Sequence, residues 1–92
     1  MTIDQIRNIM NQSGSHWFDR NTMSFFGTRI ESAVYGTSDP VFFVTSEKPP
    51  WGPRKYSVRE FCASEKKIRT IGEFCSMEKD EALEMAESLG SE

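Results

Sequence analysis

Apolar positions near the N-terminus recur at helical spacing. Ile3, Ile6, Ile9 and Met10 fall on one stripe of a 3.6-residue period. Thr2 is a good N-cap, and Gln5 three residues later completes a capping-box pattern. Ser13-Gly14-Ser15 ends the helix, with Gly14 suited to a left-handed C-terminal position. The next stretch, HWFDRNTMSFFGTRI, fits two conformations. His16 to Phe18 suits a short strand, followed by a short helix near 20–26 that Asp19 or Asn21 caps and Gly27 stops. One continuous hairpin is the other, because Phe25 and Phe26 are also strand formers. The capping residues favour the helix.

From Thr28 the period becomes two. TRIESAVYG sets Ile30, Ser32 and Val34 on one face and Arg29, Glu31, Ala33 and Tyr35 on the other. After the GTSD turn, VFFVTSE reads as an apolar strand, RKYSVREFC as a mixed one and KIRTIGEFC as a third alternating one. Short links between them predict an antiparallel meander of about four strands. The last segment, about Lys79 to Leu89, is helical, with Ala82, Leu83, Ala86 and Leu89 on one face and Gly90 as terminator. The sum is an α+β fold in a single domain, residues 1–92. Helices at the two chain ends are expected to cover one face of the sheet.

Length and composition agree with one modest core, to which eleven aromatics (seven Phe, two Trp, two Tyr) supply much of the apolar area. The start, MTIDQIRNIMNQ, lacks the basic and apolar regions of a signal peptide, and no run approaches the length of a membrane span. Cys62 and Cys75 are expected a strand length apart, as free thiols in a reducing, cytoplasmic setting. Charge is unevenly placed. Residues 1–47 carry −2, residues 48–69 carry +5 and residues 70–92 carry −6, which sum to the net −3.

Catalytic constellations are missing from this pattern. The only histidine, His16, lies beside Trp17 and Phe18 and reads as a packing residue at the core edge. One His and two separated Cys do not make a metal site, and no phosphate-binding glycine loop is present. No enzyme activity and no cofactor are therefore expected. Candidate contacts lie instead in three groups. Arg54, Lys55, Arg59, Lys66 and Lys67 could meet phosphates, with Trp51 or Tyr56 stacking on bases. Glu81, Glu84 and Glu87 either imitate a run of phosphates or form a solvated helix face. Trp51 sits in KPPWGP, whose prolines cannot belong to paired strands and stiffen the loop. Its ring either folds back onto the core, the commoner outcome, or projects as a preorganised anchor.

One set of motifs points to a family. Asp-x-x-Thr-Met-x-Phe-Phe is met by Asp19, Thr22, Met23, Phe25 and Phe26, with Arg29 following Gly27. Phe43, Thr45, Ser46 and Glu47 form a Phe-x-Thr-Ser-Glu strand end. Arg54, Tyr56, Val58, Arg59 and Phe61 fit the next strand, and Gly72, Glu73 and Phe74 close the match. In these motifs the chain resembles a family of small proteins of unassigned function encoded by bacteriophages, plasmids and conjugative elements. Pro-Pro-Trp in the loop and the acid-rich last helix depart from the family pattern, where partner preference would diverge.

The resemblance implies a mobile-element accessory protein in the cytoplasm of a bacterial host, working through a surface and not an active site. The leading expectation is a non-enzymatic inhibitor of a host protein, most plausibly a CRISPR-type defence nuclease (anti-CRISPR-like). The alternative is a nucleic-acid-binding accessory protein using the basic 48–69 region.

Overall fold

The computed structural model describes residues 1–91. Helix α1 runs Ile3–Gln12, α2 Arg20–Ser24 and α3 Lys79–Gly90. The strands are β1 Arg29–Ile30, β2 Val41–Glu47, β3 Lys55–Cys62 and β4 Lys67–Ile71. They form one sheet in the order β1-β2-β3-β4, each pair antiparallel, so the expected meander is present.

Local signals account for the element ends. The Thr2 hydroxyl accepts from the Gln5 N–H, and the Gln5 side chain accepts from the Thr2 N–H, which is the capping box read from the sequence. Asp19 precedes α2, but its carboxylate binds His16 Nδ1 at 2.7 Å and makes no cap hydrogen bond. His16 is therefore not the core-edge residue expected; its side chain is 84% exposed. The first strand is also shorter than the 28–36 alternation implies. The Ser32 hydroxyl accepts the Val44 N–H, in place of a backbone carbonyl, and pairing resumes only at the Tyr35–Phe42 bridge.

The two terminal helices do not share a face. Val41, Phe43 and Phe61 point one way and pack with Ile6 and Met10 of α1 and with Phe18. Phe42, Val44 and Val58 point the other way and pack with Ala82 and Ala86 of α3 and with Met77. The domain thus has three layers, α1 and its following loop, the sheet, and α3. All seven residues of β2 are consequently buried. An unbroken apolar run such as Val41–Val44 is what a strand covered on both sides requires.

Gly90 ends α3 by close approach and not by a left-handed turn. A Cβ on it would lie 2.7 Å from the Tyr35 Cβ and 2.9 Å from the Gly36 nitrogen, so only glycine lets the helix end meet the chain before β2.

Candidate functional site

On the α1 face, the end of the sheet away from the Val41–Phe61 pair is polar. Thr45, Glu47, Ser57 and Arg59 alternate outward from β2 and β3, and all four are buried. Arg59 Nε donates to Thr45 Oγ1 at 3.0 Å, and that hydroxyl donates to Glu47 Oε2 at 2.6 Å. Arg59 also donates from Nη2 to Glu47 Oε2 at 3.2 Å and from Nη1 to the Thr70 hydroxyl. Ser57 donates to Glu47 Oε1 at 2.9 Å and accepts the Cys75 N–H at 2.7 Å. Each buried polar group thus has a partner, as a buried ion pair needs if it is to offset its desolvation.

The Ser57–Cys75 hydrogen bond also fixes the loop after β4, where Cys75 takes a φ of 57°. That loop lays the Phe74 ring 5.2 Å from the Arg59 guanidinium, while Trp17 lies 5.5 Å from the same group. Arg59 is thereby held by two aromatic rings as well as by Glu47.

Above this floor opens a groove of about 530 Å³, walled by Trp17, Met23, Phe25, Phe26 and Phe74 with Arg59 at its base. Its rim is aromatic and open to solvent. Phe26 meets Phe25, Trp51 and Phe74 at ring-centroid distances of 4.6, 5.5 and 5.6 Å. Phe25 is 76% exposed, Trp51 75% and Phe74 40%. The KPPWGP loop is held in place by the Lys48 N–H, which donates to the Phe26 carbonyl at 2.7 Å. Trp51 therefore projects, edge-on to Phe26, and does not fold into the core.

A second groove adjoins the first and shares Met23 and Thr28 with it. Arg20, Arg29 and Arg54 line it. Arg54 Nη1 donates to the Gly27 carbonyl at 3.0 Å and to Ser46 Oγ at 2.8 Å. Gly27 has a φ of 59°, and a Cβ on it would come within 3.2 Å of the Arg54 guanidinium.

The residues singled out in the sequence are thus dispersed. Trp51 and Arg54 lie at the grooves. Lys55 is beside them in the chain but is paired with Glu78. Arg59 is 8% exposed and its charge is met by Glu47, so it is part of the floor and not a surface phosphate contact. Lys66, in the β3–β4 turn, and Lys67, at the start of β4, are exposed at the opposite end of β3 from the Trp51 loop. Tyr56 packs towards α3 and is no stacking platform beside Trp51. Glu81, Glu84 and Glu87 are exposed on the outer side of α3, across the sheet from the grooves.

Phe25, Phe26, Phe74, Arg20 and Arg29 had not been singled out as contact residues. One signal was present: adjacent phenylalanines on a helix point about 100° apart, so a single apolar stripe cannot bury both.

The closest hydroxyl–carboxylate pair, Thr45 and Glu47 at 2.6 Å, is fully buried. Among the described residues, no three of His, Cys, Asp and Glu gather as a metal-ligand set, both cysteines are free thiols, and no helix is long and apolar enough to cross a membrane.

No curated protein and no solved structure matches the chain. A family pattern does, over residues 2–87, nearly the whole length, and takes in both grooves and their floor. The chain belongs to DUF7447, a family of unknown function.

Proposed function

We propose that this protein is a non-enzymatic binding module whose contact surface is the aromatic groove at the end of the sheet. The observation that carries the reading is the cluster of Phe25, Trp51 and Phe74 around Phe26, solvent-exposed on a braced scaffold. A contiguous apolar patch costs free energy in water unless something covers it, and exposed aromatics with nearby arginines are typical of interface hot spots. The groove volume is also ample for a large side chain.

The finer reading is that the bound partner is a host protein, a CRISPR-type nuclease, and that binding disables it. It rests on the resemblance to mobile-element proteins and on the segregated charge of the chain. Glu81, Glu84 and Glu87 would then be a second contact, imitating phosphates.

Two measurements test these levels separately. The wild-type chain should retain a protein from a nuclease-treated bacterial lysate that a Phe25→Ala/Trp51→Ala variant does not retain. Equal retention by both would refute the groove. Target cleavage by purified CRISPR nucleases should be suppressed by the wild type and less by Glu81→Gln/Glu84→Gln/Glu87→Gln; cleavage unaffected by the wild type would refute the inhibitor reading alone.

A further inference from the structure

Resting on the groove as the contact surface, we infer that its occupant is an acidic peptide segment of a partner protein carrying one large apolar anchor. The anchor enters the aromatic groove, and its neighbouring carboxylates meet Arg20, Arg29 and Arg54.

Charge placement carries this assignment. The chain has fourteen Asp and Glu against eleven Lys and Arg, yet no carboxylate lines either groove. Arg20, Arg29 and Arg54 share one groove, and among the described residues none of them has a carboxylate within ion-pair distance. Arg54 reaches Glu31 only through the Ser46 hydroxyl. Arg7, Lys55, Arg59 and Arg69, by contrast, are all paired. Three arginines left without counter-charges beside an apolar slot match a ligand with an apolar group and adjacent anions.

A nucleic-acid strand matches less well. It needs a cationic path along several phosphates. Beyond Lys48, which adjoins the Trp51 loop, the exposed Lys66 and Lys67, unpaired among the described residues, are a β3 length away, roughly 23 Å at 3.3 Å per residue. Arg59, which lies between, is already neutralised by Glu47. The patch therefore has the extent of a short peptide, with one slot and three cations. Arg59 adds selectivity. Its guanidinium keeps N–H groups beyond those given to Thr45, Glu47 and Thr70. Since the Arg59–Glu47 pair is neutral, a carbonyl at the floor suits it better than a further carboxylate.

Selection of a random peptide library on the full chain tests this. Enriched peptides are expected to hold one Phe, Trp, Leu or Met with at least two Asp or Glu within a few residues. A synthetic enriched peptide, followed by fluorescence anisotropy, should lose about tenfold or more in affinity to Arg20→Glu/Arg29→Glu, and weaken as salt rises. No enrichment, or enrichment of sequences without acids, overturns the assignment. So does tighter binding of an oligothymidylate through the same arginines, or self-association in sedimentation that Arg20→Glu abolishes. If peptide binding falls with Phe25→Ala but not with the arginine variants, the acidic chemistry is wrong and the groove stands. If Phe25→Ala also leaves binding unchanged, the groove itself is wrong.

Discussion

Glu47 and Arg59 form the buried charge pair on which the groove floor rests. Removing one partner leaves the other charge desolvated, so Glu47→Ala is expected to cost about 3–5 kcal/mol in urea denaturation. That is a large share of the stability of a domain this size, on the order of 5–14 kcal/mol. Replacing both partners by Met should recover much of the loss, since the apolar pair leaves no orphaned charge.

Asp39 acts at the other end of the sheet. The backbone N–H of Ala63 lowers its pKa from the usual 3.8, assisted by hydrogen bonds from Ser64 and Cys62 and opposed by desolvation. A lowered folded-state pKa means that its stabilising contribution is full above the unfolded value and is lost as pH falls through the folded one. Carbon-detected NMR should place the Asp39 midpoint below 3.8, and Asp39→Asn should remove this part of the acid sensitivity.

Among the elements, α3 separates local preference from tertiary fit. Alanine is a better helix former than glycine by about 0.8–1 kcal/mol, so Gly90→Ala should raise the helicity of an isolated 78–91 peptide. In the protein the new Cβ collides with Tyr35 and Gly36, and the expected effect has the opposite sign, a loss of about 1–3 kcal/mol. At about 4–8 °C per kcal/mol, circular dichroism melting resolves it. The elements themselves were largely legible in sequence. The capping box placed α1, and the Ala/Leu stripe placed α3. An apolar, a mixed and an alternating run between turn residues placed β2, β3 and β4, although β4 ends at Ile71 and not at Cys75. β1 is shorter than the alternation implies because Ser32 uses its side chain where alternation alone implies a backbone pair.

For the molecule as a whole, the groove adds surface at little cost to the core. Trp51 is mostly solvated, so Trp51→Ala should change stability by no more than about 0.5 kcal/mol while weakening partner binding. Trp17→Ala should cost more, because that ring packs on Phe18 and Phe43 and covers Arg59. Comparing the two melts by tryptophan fluorescence and circular dichroism checks both.

Hydrophobic period, caps and turns are local properties, and by themselves they determined the elements, the meander and the α+β class of this protein. The face that each helix covers, the burial of Arg59, the exposure of Trp51 and the meeting of Phe25, Phe26 and Phe74 were decided only by the tertiary structure. These depend on which residues distant in the chain are brought together, and on whether a charge finds its partner before it finds water.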